Sequence, residues 1–246
     1  MRIALLADIH ANREALEAAL QCVRSVSPDL IVVLGDIVGY GPDPEFAIDT
    51  VARLRDDGAV CLKGNHDEAA VTGPKGMSEN ARIAANWTMV QLSDSHRALL
   101  DGLPMEAVVE GVRYVHASAE RPERWIYLNS ADAAVRCLAA CDERIVACGH
   151  THVPAIHYAL PGRGPVQHTP APGVAAPIMA MRRHVVVCGS VGQPRDGNPA
   201  ACIGVIDTRE SSVTMLRAPY DYDVTRAKIA RAGLPDWLGI RLKIGR

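Results

Sequence analysis

Ile3 to Ala7 is an unbroken apolar run ending at Asp8, which predicts a strand covered on both faces. From Asn12 to Val26 the apolar positions switch to helical spacing (Leu16, Ala19, Leu20, Val23), and Pro28 marks the break. Leu30 to Leu34 reads as a second buried strand, Pro44 to Arg55 as a helix and Val60 to Leu62 as a third strand. This β-α-β-α-β order predicts mostly parallel pairing with right-handed crossovers.

The polar, helical stretch from Met77 to Leu103 is expected to form a cap or a surface layer beside the sheet. Ala107 to Val115 reads as a hairpin turning at Glu110-Gly111, Ala131 to Ala140 as a helix, and Arg144 to Cys148 as a strand. Beyond Val153 the pattern turns to β: Ile156 to Leu160, Val185 to Cys188, Cys202 to Asp207 and Val213 to Leu216. The proline- and glycine-rich stretch from Pro161 to Pro177 is expected to be a mobile surface loop, and the C-terminal end one or two closing helices. The expectation is an α/β fold, with two packed mixed sheets flanked by helices in a single domain over residues 1–246.

Composition narrows the function. A chain of 246 residues that is 48% apolar is ample for a full core. The net charge of −2 gives no electrostatic footprint for nucleic acid or an anionic membrane. The first apolar run is too short for a signal-peptide core, and no later run approaches membrane-spanning length, so a cytoplasmic protein is expected. Seven cysteines is an odd number, and most sit inside apolar stretches, so they read as buried free thiols. Cys137 and Cys141 are one helical turn apart, but with no second pair they read as core.

Five short motifs each fall where an expected strand ends. They are Asp8-Ile9-His10, Gly35-Asp36, Gly64-Asn65-His66-Asp67, His116 and Gly149-His150-Thr151-His152. On extended backbone, the i, i+2 pairs Asp8/His10 and His150/His152 would each share a face. Taken singly, each motif has an ordinary reading as a turn, a solvated pair or a helix N-cap with Asp67 accepting from the next turn. Taken together, groups at the carboxyl ends of parallel strands converge on one crevice. There the two aspartates would repel each other and the imidazoles compete for protons, unless divalent cations intervene. An all-oxygen-and-nitrogen donor set suits Mn²⁺, iron or Zn²⁺ better than Ca²⁺ or Mg²⁺. Two such cations against two carboxylates leave a positive excess, which a phosphate ester would neutralise.

The order DxH, GD, GNH(D/E), H, GHxH from Asp8 to His152 resembles the signature of the calcineurin-like metallophosphoesterase family. Gly189-Ser190-Val191-Gly192-Gln193-Pro194 resembles its small prokaryotic members of the YfcE phosphodiesterase type. The stretch from Gly35 to Pro44 is similar to a diadenosine-tetraphosphatase-like or protein-phosphatase-like sub-group. The resemblance implies a four-layer α-β-β-α sandwich with two metal ions. Asp8, His10, Asp36 and His152 would hold the first; Asp36, Asn65, His116 and His150 would hold the second, with Asp36 bridging. It implies that a hydroxide shared by the metals attacks phosphorus in line, without a covalent phosphoenzyme. His66 would then protonate the leaving oxygen or stabilise the transition state, and Asn12 would orient the substrate.

One departure bears on the substrate. Protein phosphatases of this superfamily carry GDxxDRG, whose aspartate orients the catalytic histidine and whose arginine clamps phosphate. Gly39 and Tyr40 stand at those two positions here. Without the clamp, a small diester or an anhydride is favoured over a phosphomonoester dianion. The group orienting His66 stays open between Asp67 and Asp43, although Asp43 before Pro44 reads rather as a helix start. Arg195 and Asp196 either restore the lost positive charge or form a salt-linked loop. His96 is expected to be solvated, and His157, His168 and His184 to be surface residues without a role. The leading expectation is hydrolysis of small phosphodiesters. A dinucleoside polyphosphate hydrolase, a serine/threonine protein phosphatase and a non-catalytic scaffold are the alternatives; the complete ligand set argues against the scaffold. The sequence names neither the native metal nor the oligomeric state.

Overall fold

The computed structural model describes residues 1–160 and 163–246. In chain order the elements are β1 (Arg2–Leu6), α1 (Arg13–Val26), β2 (Leu30–Val33), α2 (Pro44–Asp56), β3 (Val60–Cys61), α3 (Asn65–Thr72), α4 (Glu79–Gln91) and α5 (Asp94–Asp101). There follow β4 (Glu106–Val109), β5 (Val112–Val115), α6 (Ala131–Ala139), β6 (Ile145–Cys148), β7 (Ala155–Leu160), β8 (Arg163–His168) and β9 (Ala176–Pro177). The chain closes with β10 (His184–Val187), β11 (Ala201–Asp207), β12 (Ser212–Ala218), α7 (Tyr222–Arg231) and α8 (Asp236–Ile244).

Two six-stranded mixed sheets result, ordered β3-β2-β1-β11-β12-β9 and β4-β5-β6-β10-β7-β8. The three N-terminal strands pair in parallel, while β1 meets β11 antiparallel. Alternation along β1 explains why its sequence is apolar throughout. Ile3 and Leu5 point between the sheets towards Tyr114, Ala147 and Val186. Ala4 and Leu6 point outward onto Leu16 of α1 and Ile48 of α2. On the far side, Val146 and Val185 pack against Ala134 and Leu138 of α6. Helices thus cover both sheets, in the four-layer order. Each fully buried Leu or Ile in these layers is worth about 1.5–3 kcal/mol over leaving it exposed.

Three expectations need correction. First, the stretch from 161 to 177 is not a bare loop, because β8 pairs antiparallel with β7 and β9 with β12. Pro165 is tolerated because β8 is the edge strand of its sheet and Pro165 falls at the irregularity in its pairing with β7, between Arg163 and Val166. Pro161 and Gly162 of that stretch lie outside the described residues. Second, the helical segment expected at 77–103 is broken into two helices, α4 and α5, which pack on α2 and α3, with Leu92, Leu100 and Leu103 reaching the core cluster that holds Val33 of β2 and Cys61 of β3. Third, His157 and His184 are interior, 1% and 2% exposed, because they lie on strands of the second sheet. His168 is exposed as expected, whereas His96 is half-buried with Nε2 3.1 Å from Asp49 Oδ1.

All seven cysteines are free thiols, and Cys137 packs inside the α6 layer. Among the described residues, no helix is long and apolar enough to cross a membrane.

Candidate metal centre

The motif residues lie in the loops just beyond the strand ends, and their backbone differs from the extended conformation expected. Asp8, His10, Asp36, His150 and His152 all adopt left-handed φ values, of 54°, 50°, 53°, 65° and 61°. Such a conformation costs a non-glycine residue roughly 1–3 kcal/mol, so each must be held by its surroundings. The loops hold one another. The N–H groups of Asp8, His10 and Ala11 donate to the carbonyls of Gly35, Asp36 and Ile37, at 3.1, 2.9 and 2.9 Å. Gly192 N–H donates to Asp8 O at 2.9 Å from the opposite side. Gly149 is required beside them, because a Cβ there would lie 2.6 Å from Asp8 Oδ2.

Two clusters form. Ligand atoms of Asp8, His10, Asp36 and His152 lie within 4.8 Å of one another, as do those of Asp36, His116 and His150. Asp36 belongs to both. The Nδ1 atoms of His10, His116 and His152 face the carbonyls of Val38, Leu34 and Gln193 at 3.1, 2.8 and 2.6 Å. A carbonyl only accepts, so each Nδ1 carries a proton and each ring turns its Nε2 inward, as a bare lone pair wherever the ring is neutral. The Nε2 atoms of His10 and His152 then face each other at 3.1 Å. In the second cluster His116 Nε2 meets Asn65 Oδ1 at 3.2 Å, His150 Nδ1 at 3.2 Å and Asp36 Oδ2 at 3.4 Å. Converging lone pairs repel unless a cation lies among them, and this donor set fits divalent metal ions.

Electrostatics agrees. Burial lowers His10 and His152 well below the usual histidine range, and burial with the charge of His116 takes His150 down to about 3. These rings are therefore neutral, the form that binds metal. Burial also opposes the charging of His116, but Asp36 and Asp8 lift it to about 9. Burial raises Asp8 to about 7, against the pull of His116. Burial resists ionisation of Asp36 too, but the nearby His116 and His66 hold its carboxyl well below the usual range. Without metal, the cluster keeps protons that a cation would displace.

His66 opens α3, where its N–H donates to Asp36 Oδ1 at 2.8 Å. Its ring packs against Tyr40 at 4.3 Å between centroids and edge-on to His10 at 4.9 Å, and its buried Nδ1 has no partner. Gly39 abuts that nitrogen, since a Cβ at this left-handed position (φ 88°) would lie 2.4 Å away. Neither candidate for orienting His66 does so. Asp67 instead accepts from the backbone N–H groups of Ile37, Val38 and Gly64 at 2.9, 3.1 and 2.9 Å, bracing the loops. Asp43 is paired with Lys228 at 2.9 Å. Asn12 also serves the scaffold. Its Oδ1 accepts from Ala15 N–H, capping α1, and from Thr225 Oγ1, both at 3.1 Å, and its Nδ2 donates to Gly192 O at 2.7 Å and Tyr220 Oη at 3.2 Å, so both edges of the amide are occupied within the protein.

The two residues after the Gly-Ser-Val-Gly run divide. Asp196 is salt-linked to Arg217. Arg195 has no carboxylate partner among the described residues. Its guanidinium lies 5.8 Å from the Tyr40 ring centroid and donates to Gln193 Oε1 at 2.8 Å. Trp125 and Tyr127 went unnoticed in the sequence, yet Tyr127 stacks on His150 at 4.1 Å and Trp125 stands edge-on to His116 at 5.7 Å. The available signal was their scarcity: aromatics make up 4% of the chain, and two of them fall in Arg124-Trp125-Ile126-Tyr127.

Comparison with known proteins places the chain in a family. Residues 1–211 match the calcineurin-like phosphoesterase superfamily domain. The crystal structure of a metallophosphoesterase from Sphaerobacter thermophilus superposes with a TM-score of 0.86 at 36% identity, covering 100% of this chain and 99% of that one. The uncharacterised protein MJ0912 of Methanocaldococcus jannaschii is 31% identical over 99% of this chain and 98% of its own. The phosphodiesterase YfcE of Escherichia coli K12 is 26% identical over 88% of this chain and 92% of its own.

Proposed function

The chain belongs to the calcineurin-like phosphoesterase superfamily, and we propose that it hydrolyses small phosphodiesters with two metal ions, drawn from Mn, Fe or Zn. Asp8, His10, Asp36 and His152 would hold one ion; Asp36, Asn65, His116 and His150 would hold the other. The observation that carries this reading is the Asp36 carboxylate, shared by two groups of inward-facing lone pairs with His66 packed beside them. When bound, the metals supply an activated water at neutral pH and neutralise charge developing on the phosphoryl oxygens.

The remaining steps fall to the chain itself. His66 serves the departing oxygen, as proton donor or by hydrogen bonding in the transition state. Tyr40 fixes the plane of its ring from one side. Arg195, reaching over Tyr40 without a carboxylate partner among the described residues, gives the substrate one positive charge. A single guanidinium suits the single negative charge of a diester better than a phosphomonoester dianion. The absence of an aspartate and an arginine at Gly39 and Tyr40 favours the same choice, and the name of the relative YfcE supports it.

His66→Ala in the Mn²⁺-loaded protein tests the assignment. Metal content should be unchanged, while turnover of bis(p-nitrophenyl) phosphate falls at least 100-fold, about the contribution of a general acid. Unchanged turnover would remove His66 from the mechanism. A panel of bis(aryl) phosphate, aryl phosphate, diadenosine tetraphosphate and a phosphopeptide, run separately with Mn²⁺, Zn²⁺ and Fe²⁺, ranks the substrates. Preference for the phosphopeptide would overturn the diester reading.

A further inference from the structure

A cleft of about 610 Å³ opens directly from the metal centre. His66, Asn65 and His150 line its inner end, and Lys75 and Arg124 its outer part, with Trp125 and Tyr127 along one wall. The wall is built rather than incidental. Trp125 adopts a left-handed φ of 52° and its indole N–H donates at 3.1 Å to Oε2 of Glu68, the one carboxylate lining the cleft. Tyr127 is half exposed, with one ring face stacked on His150 at 4.1 Å. Lys75 and Arg124 are both exposed, and neither has an acidic partner among the described residues.

Resting on the reading of the metal centre given above, we propose that this cleft is the leaving-group subsite and that it takes a nucleoside monophosphate. The substrate is then a phosphodiester in which a ribose oxygen of the nucleotide departs at His66 while its own phosphate group reaches the outer part. Three observations converge on that class. The cleft begins at His66, the residue assigned to the departing oxygen. Its wall offers two aromatic side chains for a flat ring, a contact every nucleobase can make. Its outer part carries two cations with no salt-bridge partner among the described residues, against the single carboxylate of Glu68, for a phosphate dianion. A simple alkyl leaving group would use neither feature, and a simple aryl group only the aromatic wall. The reaction balances as a hydrolysis: water oxygen forms a new bond to phosphorus, the bond from phosphorus to the nucleotide oxygen breaks, and one proton passes to that oxygen.

Calorimetric titration separates this claim from the catalytic one. In metal-chelated protein, where phosphate cannot bind through metal, AMP should bind at least tenfold more tightly than adenosine or ribose 5-phosphate. Lys75→Ala combined with Arg124→Ala should weaken AMP at least tenfold, with adenosine unaffected, and Lys75→Arg with Arg124→Lys should restore it. Trp125→Leu should weaken AMP while leaving ribose 5-phosphate unchanged. AMP binding no tighter than ribose 5-phosphate, or untouched by loss of the two cations, overturns the proposal. Turnover of bis(p-nitrophenyl) phosphate by the metal-loaded protein is read alongside. Turnover without selective AMP binding removes the subsite alone; AMP binding without turnover keeps the subsite and removes the phosphodiesterase reading.

Discussion

Asp67 shows how heavily the metal centre leans on residues that never touch a metal. Its carboxylate is fully buried and accepts three backbone N–H groups, from Ile37, Val38 and Gly64. Val38 in turn offers the carbonyl that orients His10. Asp67→Ala strands all three donors, and an unsatisfied buried donor costs about 1–3 kcal/mol. Allowing for some water entry, the loss should be about 3–5 kcal/mol. Asp67→Asn keeps one oxygen for Ile37 and Val38 but turns an NH₂ towards the Gly64 N–H, a loss of about 1–3 kcal/mol. Both substitutions relieve the repulsion between Asp67 and Asp36 equally, so the difference between them isolates the missing acceptors. The assay is urea unfolding in EDTA, so that metal binding does not contribute. For a chain of this size 1 kcal/mol corresponds to a Tm shift of about 2–4 °C, so Asp67→Ala should also melt about 6–12 °C or more below the parent. A change within about 0.5 kcal/mol, as at an ordinary surface site, would refute the brace. Greater damage from asparagine than from alanine would refute it as well.

Gly39→Ala forces a side chain into left-handed backbone against His66, where its Cβ would meet Nδ1 at 2.4 Å. It should cost about 2–4 kcal/mol of stability and at least 100-fold in diester turnover; wild-type kinetics would show that the His66 ring does not need its present position. Arg195→Gln should raise KM for bis(p-nitrophenyl) phosphate tenfold or more with a smaller change in kcat, and an unaltered KM would detach Arg195 from the substrate. Metal binding should be visible as stability: Mn²⁺ at 100 times its Kd adds about 2.7 kcal/mol per site, measured as a rise in Tm. Asp36→Asn should abolish most of that rise because Asp36 belongs to both clusters, and a full rise in the variant would exclude a shared carboxylate.

Much of this architecture could be read from the chain because its strands are buried on both faces. β1, β2 and β6 appear as continuous apolar runs, and the groups that follow each run sit at the mouth of the sheets. The approach of Asp36 to both His116 and His150 follows from that topology. Side-chain direction did not follow from spacing. A two-residue interval predicts a shared face only on extended backbone, whereas Asp8, His10, His150 and His152 reach the centre through left-handed loops closed by inter-loop hydrogen bonds. Those bonds join residues far apart in sequence, and local patterns carry no trace of them. The same limit hid the task of Asn12, whose partner Gly192 lies 180 positions away. It also hid the burial of His157 and His184, since a polar residue on a strand looks solvent-facing until the second layer is placed over it.

The replacement of an aspartate–arginine pair by Gly39-Tyr40 is best understood as one change rather than two. A side chain at position 39 would occupy the space of the His66 ring, so glycine lets that ring settle against the backbone and leaves its Nδ1 without a partner. Tyr40 then supplies by packing the restraint that a hydrogen bond would otherwise give, touching His66 and His10 at 4.3 and 4.7 Å. It also lies beneath Arg195, so positive charge arrives from the loop after β10 instead of from the loop after β2. On the reading proposed above, the consequence is a His66 ring positioned by an aromatic face and a substrate charge met by one guanidinium from across the site. Tyr40→Phe should preserve that packing and therefore most of the activity, whereas Tyr40→Ala should release the His66 ring and Arg195 together. If the phenylalanine variant is as impaired as alanine, the phenol oxygen rather than the ring face is what the site requires.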